Sequence, residues 1–269
     1  MLPFLENKAG RLVVRPTIVK PYPAHLHPET ELLYVFEGEA DIMVDNQPQH
    51  LAAGDLCVCF PGVVHSYVGN QNARAVMVIF RPEIATGFPA LLASALPKDP
   101  VVRQPYLPED VAFCMQQILQ EHQDAGNEQV LLGYIRVVLA RTLPLLTLSS
   151  RAPELSDIMY SILKYLSAHY REPITLHHLS RALGVSKSHL SHTFSRRIGV
   201  SFRTYINLLR LYDACTRLTT TNESIMNIAM ECGFESYRTF DRIFVQQYGI
   251  APKVWRRQNA LKELLWIGR

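Results

Sequence analysis

The hydrophobic pattern divides the chain into a first part with short β-type runs and a later part with helical spacing. Runs rich in Val, Ile, Phe and Tyr alternate with turn residues, which predicts strands at residues 11–20, 31–36, 40–44, 56–60 and 75–80. Short strands without intervening helices are typical of a sandwich or barrel. From about residue 108 the apolar spacing becomes helical, with Val111, Met115 and Ile118 on one face.

Two similar helical units follow a linker-like stretch at residues 148–153. Capping residues and terminal glycines recur in the same order: Thr175, Gly184, Ser186 and Gly199, then Ser224, Gly233, Ser236 and Gly249. The equivalent caps Ser186 and Ser236 are 50 residues apart. Because a short helix, a tight turn with Gly and a second helix form a helix-turn-helix unit, the pattern predicts two such units, at about 175–197 and 224–247.

The second helix of each unit presents a polar face when its apolar residues are buried. With Leu190, Phe194, Phe240 and Phe244 inside, the exposed or flanking side chains become candidates for DNA contact: Ser188, Ser191, His192, Arg196, Tyr237, Arg238, Asp241 and Arg242. Arg suits guanine, Asp can accept from cytosine, and Ser and His reach base edges or phosphates. An all-helical interaction domain with solvated charges is the alternative, and the duplication argues against it.

Charge is distributed unevenly between the two parts of the chain. Residues 1–150 carry ten Lys/Arg against fifteen Asp/Glu, whereas the remaining residues carry seventeen against nine, so charges of −5 and +8 give the total of +3. A basic second half favours contact with a polyanion there, although uneven surface charge alone is common. The hydrophobic content of 48% excludes a mainly disordered chain.

The second half resembles the AraC/XylS family of bacterial transcription regulators. The resemblance is carried by Ile225, Ile228, Ala229, Gly233, Phe234, Ser236, Phe240, Phe244, Gly249, Pro252, Trp255 and Arg256, with Trp255 at a position where that family usually has Tyr. It implies a rigid linker helix that holds two recognition helices about 34 Å apart, one duplex turn. It also implies a homodimer, and contact with RNA polymerase if the protein is an activator.

His25, His27 and Glu31, followed by Gly38 and later by His65, resemble the two motifs of the cupin barrels. Residues 25, 27 and 31 share parity, so one extended strand would aim all three into the barrel. In metal-bearing cupins these four positions bind a divalent ion. In sensor domains similar residues serve packing or effector contacts, so a metal is an option and no cofactor is required. The family resemblance favours a sugar or related metabolite as effector.

Other features of the first half leave alternatives open. The helices between residues 106 and 150 are apolar enough to pair two subunits, but packing against the barrel would explain them equally well. Five scattered cysteines with no CxxC pair make a disulfide framework or zinc ribbon improbable. The most apolar stretch, residues 130–148, is interrupted by Arg136, Arg141 and Pro144, so we expect a cytoplasmic protein with no membrane partner.

These observations predict an α+β two-domain protein. A cupin-like effector-sensing β-barrel at residues 1–105 precedes a helical dimerisation segment at 106–150 and an all-α double helix-turn-helix domain at 154–258. The expected function is sequence-specific transcription regulation on double-stranded DNA, without enzymatic activity. A metal-dependent cupin enzyme, of isomerase or dioxygenase type, fused to a DNA-binding module is the alternative, and a purely structural nucleoid-binding role is weaker still.

Overall fold

The computed structural model describes residues 11–68, 73–124, 126–150 and 154–264. The chain divides into two compact units between Tyr160 and Ser161, inside one helix. The strands of the first unit are β1 (Leu12–Ile18), β2 (Tyr22–His25), β3 (Thr30–Glu37), β4 (Glu39–Val44), β5 (Gln47–Ala52), β6 (Leu56–Cys59), β7 (His65–Val68), β8 (Arg74–Phe80), β9 (Ala95–Pro97), β10 (Val101–Val102) and β11 (Leu148–Ser150). The helices are α1 (Pro89–Ser94), α2 (Glu109–Gln123), α3 (Glu128–Thr142), α4 (Glu154–His169), α5 (Leu176–Leu183), α6 (Lys187–Ile198), α7 (Phe202–Thr220), α8 (Ile225–Glu231), α9 (Tyr237–Tyr248) and α10 (Pro252–Leu264).

The first unit has the cupin-like β architecture that the sequence predicted, and in the described residues it takes the form of a two-sheet, jelly-roll-like sandwich and not of one continuous closed barrel. One antiparallel sheet has the order β1-β8-β3-β6-β10 and the other has the order β2-β7-β4-β5. Side chains from both sheets meet between them, as in the contact of His65 with Glu31. Strand alternation is the same in a barrel and a sandwich, whereas closure depends on long-range pairing that a sequence pattern does not contain.

Strand β5 lies at an edge of the four-stranded sheet and lacks the apolar pattern that identifies strands. Its sequence begins Gln47-Pro48, and Pro is tolerated on an edge strand because it needs no backbone donor there. The turn that joins β4 to β5 has Asp45 and Asn46 at φ 48° and 62°. Two successive residues with positive φ form the tight hairpin turn that matches strand twist, and Asn and Asp tolerate this conformation well.

Helices α2 and α3 pack against each other and join the core of the sandwich. Val111 and Ile118 of α2, and Ile135 and Leu139 of α3, are fully buried in one hydrophobic cluster with the strands. Packing against the sandwich therefore accounts for one face of this pair. The other face still carries apolar side chains in solvent, including Phe113, which is 56% exposed.

The second unit is built around the long helix α7, with α5–α6 before it and α8–α9 after it. The N-cap hydroxyls of Ser186 and Ser236 accept from backbone N–H groups in the first turns of α6 and α9, while Gly199 and Gly249 end both helices at φ 77° and 71°. These local signals explain why the sequence predicted both units. Phe240 and Phe244 pack against residues of α7 and α8 in one buried cluster.

Candidate functional site

Helix α6 presents the polar face that the sequence predicted. Leu190 and Phe194 are buried, while Ser188, Ser191, His192 and Arg196 are exposed. These four line one open groove, whose other members are Leu176, Lys187 and Ser195. Helix α6 is the second helix of a helix-turn-helix unit. Its strip of hydroxyls, an imidazole and a guanidinium is suited to contacts in a DNA major groove.

Helix α9 repeats the arrangement with longer donors. Phe240 and Phe244 are buried, Arg238 and Arg242 are exposed, Tyr237 is 40% exposed, and Asp241 is half-buried. Arg238 and Arg242 are one helical turn apart, so their guanidinium groups lie on the same side of α9. Helix α9 therefore offers two forked donors of the kind that recognise guanine, whereas α6 offers mainly short side chains.

Two further exposed residues belong to these surfaces but were not predicted from the sequence. Lys187, the first residue of α6, lines the same groove as Ser188. Gln246 is exposed one turn beyond Arg242 on α9. Helical spacing would have found both, because Lys187 lies one turn before Ser191 and Gln246 lies one turn after Arg242.

An ionic network fixes α7 against its neighbours. Asp213 on α7 accepts a hydrogen bond from Tyr170 Oη at 3.0 Å and one from Arg171 Nε at 2.9 Å, both just after α4. Arg217, one turn further along α7, donates to Glu231 at the end of α8 at 2.6 Å. Helix α7, which links the two helix-turn-helix units, is therefore bonded both to the residues that follow α4 and to the end of α8.

The sandwich holds a buried cluster made of the four predicted cupin residues. One potential ligand atom each from His25, His27, Glu31 and His65 lies within 4.8 Å of all the others, and each residue is at most 6% exposed. His27 Nε2 is 3.3 Å from Glu31 Oε2, and His65 Nε2 is 3.7 Å from Glu31 Oε1. Three imidazoles and one carboxylate at this spacing form a ligand set of the kind that binds first-row transition metals.

The backbone orients all three imidazoles toward the cluster. The Nδ1 atoms of His25, His27 and His65 are 3.0, 3.1 and 2.9 Å from the carbonyl oxygens of Pro23, Glu29 and Val63. An Nδ1–H that donates to a carbonyl leaves the Nε2 lone pair free for a ligand. His65 Nε2 is buried and has no hydrogen-bond partner, so the donor atoms fit a divalent cation.

The electrostatics of the same cluster are mixed in the metal-free protein. Burial lowers the pKa of His25 well below its usual value, and the neighbouring His65 and His27 act in the same direction. Burial by itself would raise the pKa of Glu31, but the hydrogen bond with His27 and the nearby His65 imidazole hold it well below its usual value. The cluster therefore contains an ionised carboxylate beside a neutral His25 imidazole at neutral pH. Burial by itself would lower the pKa of His65, but the neighbouring Cys59 and Glu31 raise it to about 9.

The structure brings the four residues together from different elements, whereas their parity had suggested one shared strand for His25, His27 and Glu31. His25 ends β2 in the four-stranded sheet, His27 lies in a loop, and Glu31 lies in β3 of the five-stranded sheet, so the three do not share a strand. They converge because the chain crosses between the sheets at residues 26–29. Tyr67, two residues after His65 on β7, donates a hydrogen bond to Glu31. Its shared face with His65 was the available signal for this missed residue.

Models of known protein families match a segment in each of the two compact units. A family model described as a helix-turn-helix domain matches residues 179–258, and one described as a cupin domain matches residues 18–80. The chain combines an AraC-type helix-turn-helix domain with a cupin domain. The resemblance to AraC/XylS regulators that the sequence suggested is thereby confirmed.

Relatives of this AraC-type chain are themselves regulators. An uncharacterised HTH-type transcriptional regulator of Staphylococcus aureus strain MSSA476 is 36% identical over 100 residues, and the match covers 37% of this chain and only 13% of that protein. The HTH-type transcriptional activator RhaS of Enterobacter sp. strain 638 is 24% identical over 244 residues, with 88% of each chain covered.

Solved structures support the fold of this AraC-type chain. ToxT from Vibrio cholerae O395 matches with a TM-score of 0.57 at 13% identity, over 93% of this chain and 98% of that one. Wild-type ToxT from strain SCE256 with a bound unsaturated fatty acid gives 0.56 at 15% identity, over 91% and 94%. Within the described residues, no helix is both long and apolar enough to span a membrane.

Proposed function

We propose that this chain is a sequence-specific DNA-binding transcription regulator whose cupin domain binds a small-molecule effector. The supporting observation is the pair of equivalent helices α6 and α9, which have matching caps, matching buried residues and exposed polar faces. A solvated helical domain would need no such duplication. Two recognition helices joined by a rigid linker suit adjacent major grooves, about 34 Å apart.

A gel-shift and footprinting assay on the DNA upstream of the protein's own gene tests this function. We expect a protected site with two segments about one helical turn apart, and affinity that falls steeply with salt because phosphate contacts release counterions. Equal affinity for that DNA and for random DNA of the same length would contradict sequence-specific regulation.

The effector is proposed to be polar and rich in oxygen, such as a sugar. The interior between the two sheets presents three imidazoles, the Glu31 carboxylate and the Tyr67 phenol, and these groups suit hydroxyl or carbonyl oxygens better than an alkyl chain. This chemistry favours a different effector from the fatty acid in the ToxT structure. Thermal-shift screening with sugars and fatty acids compares the two classes, because a ligand of the folded state raises the melting temperature.

A divalent metal is a further proposed component of the histidine cluster. His25, His27, Glu31 and His65 would hold it, and a bound ion would supply a Lewis-acidic position for an effector oxygen. Elemental analysis of protein purified without chelators tests occupancy, with His25→Ala/His65→Ala as the depleted variant and His50→Ala, an exposed histidine, as the control. Metal content that is unchanged in the double variant would contradict this assignment.

The same cluster is what a metal-dependent cupin enzyme would need, so the non-enzymatic assignment is also a proposal. It is supported by the relatives, which carry regulator names, and by the recognition helices, which an enzyme would not require. A regulator of this type works in the cytoplasm and contacts RNA polymerase if it is an activator. Effector-dependent change in DNA affinity, without chemical change of the effector, separates the regulator from the enzyme.

Homodimerisation is proposed through the exposed face of α2 and α3. Phe113 is 56% exposed, and Val130 and Val137, two turns apart on α3, are 38% and 39% exposed. Sedimentation analysis of Phe113→Asp should show a shift toward monomer, since a buried charge opposes association. Met226→Asp, which replaces an exposed apolar residue of α8, is the matched control and should leave the dimer intact.

A further inference from the structure

A buried pair of thiols lies beside the histidine cluster. Cys57 and Cys59 are both on β6, are 0% and 3% exposed, and have their Sγ atoms 3.7 Å apart. They are two residues apart on an extended strand, so both side chains point to the same face of the sheet. Neither thiol is part of a disulfide.

Strand pairing shows which face that is. Cys59 is the register partner of Glu31, and Cys57 is the partner of Leu33, across the β3–β6 ladder. Register partners project to the same side of a sheet, and Glu31 projects between the two sheets, where it contacts His27 and His65. The two thiols therefore extend the row of donors that begins with the histidine cluster.

The sulfur spacing fits a chelate. Two thiolates bound to one tetrahedral ion at about 2.3 Å stand about 3.8 Å apart, and the spacing before binding is 3.7 Å. The pair would thus need little rearrangement to bind a metal. Two thiolates also neutralise a divalent charge, which matters because an uncompensated ion in a buried site is strongly disfavoured.

We propose that Cys57 and Cys59 form a two-thiolate chelate for a thiophilic metal cation, at a position distinct from the four-residue cluster. On binding, both S–H bonds break, two sulfur–metal bonds form, and the two protons pass to solvent. The metal keeps its oxidation state. Thiolate ligands favour soft and borderline ions such as Cu(I), Zn²⁺ and Cd²⁺, whereas a site with only nitrogen and oxygen ligands does not have this preference.

The chelate is tested on the full chain with Cd²⁺ as the probe. We expect one equivalent of Cd²⁺ to bind and to produce thiolate-to-metal charge-transfer absorption in the ultraviolet. The double variant Cys57→Ser/Cys59→Ser should lose this absorption and bind Cd²⁺ at least tenfold more weakly. Cys215→Ser, which removes a thiol of the helical unit, is the matched control and should keep both.

X-ray absorption of the wild-type Cd²⁺ complex provides a test that requires no variant. Two sulfur scatterers in the first shell are expected, and a shell of nitrogen and oxygen alone would overturn the proposal and leave the thiols as packing groups. Absorption that persists in Cys57→Ser/Cys59→Ser would overturn it as well. Because none of these measurements involves DNA, a failure here is distinct from a failure of the proposed regulatory function.

Discussion

Tyr170 Oη donates a 3.0 Å hydrogen bond to Asp213 Oδ2, which joins the end of α4 to the middle of α7. Asp213 also accepts from Arg171 and lies 3.6 Å from Arg217, so one carboxylate holds three groups. Since α7 connects the two helix-turn-helix units, this carboxylate fixes a reference point for both. Burial, followed by the influence of Asp213, raises the pKa of Tyr170, so its phenol stays a donor at any physiological pH.

Replacing Asp213 by Asn should destabilise the helical unit by about 1–3 kcal/mol, because hydrogen bonds to a charged acceptor are lost while the arginines remain. Chemical denaturation followed by helical circular dichroism measures the loss. Glu172→Gln, which removes an exposed carboxylate from its pair with His169, is the control and should change stability little. An Asp213→Asn variant as stable as the wild type would show that the network is dispensable.

Gly233→Ala should be more damaging than the same change at Gly249. Both glycines have positive φ, 91° and 71°, which costs an Ala residue about 1–2 kcal/mol. A Cβ at Gly233 would in addition collide with the backbone of Arg171, whereas one at Gly249 meets no atom within 4 Å. The collision should add about 1–3 kcal/mol. Parallel thermal melts of the two variants measure the difference, and equal losses would contradict the close approach.

Arg242→Ala should weaken binding to the specific site by about 1–3 kcal/mol, as expected for a guanidinium that contacts a base. Titration of specific and random DNA in the same buffer measures both affinities. Arg257→Ala, an exposed arginine of α10, is the matched control and should not alter the ratio. If Arg242→Ala weakens both DNAs equally, Arg242 is a phosphate contact.

Two histidines of the sandwich should titrate on opposite sides of the ordinary value of 6.5. Burial lowers the pKa of His25, while a hydrogen bond with Asp41 raises that of His50. In metal-free protein, His25 therefore reduces stability as pH falls below 6.5 toward its folded pKa. The stabilisation from His50 is complete below 6.5 and is lost as pH rises through its folded pKa.

NMR titration of the two imidazoles checks these directions residue by residue. In Asp41→Asn the pKa of His50 should return toward 6.5, because the hydrogen bond to a carboxylate is removed. The titration of His25 should not respond to that change. Identical midpoints for the two wild-type histidines would refute the assignment of buried and exposed environments.

Local signals explain how far the sequence could predict this molecule. The helix-turn-helix units were predictable because Ser236, Gly249 and their equivalents act within a few residues of the helices they define. Strand β5 was not, because Gln47–Ala52 lacks apolar alternation and is defined as a strand by its pairing with β4. The cluster residues were predicted by motif, but their convergence from two sheets is a tertiary property. The spacing of the Cys57 and Cys59 sulfurs likewise depends on the fold.

The four cluster residues come from both layers of the sandwich. His25 and His65 belong to the four-stranded sheet, and Glu31 belongs to the five-stranded one, which also carries the helices α2 and α3 on its core. An ion or effector that contacts all of these side chains at once would connect the two sheets. Such a ligand would therefore contact side chains of strands in the same core cluster that includes residues of α2 and α3.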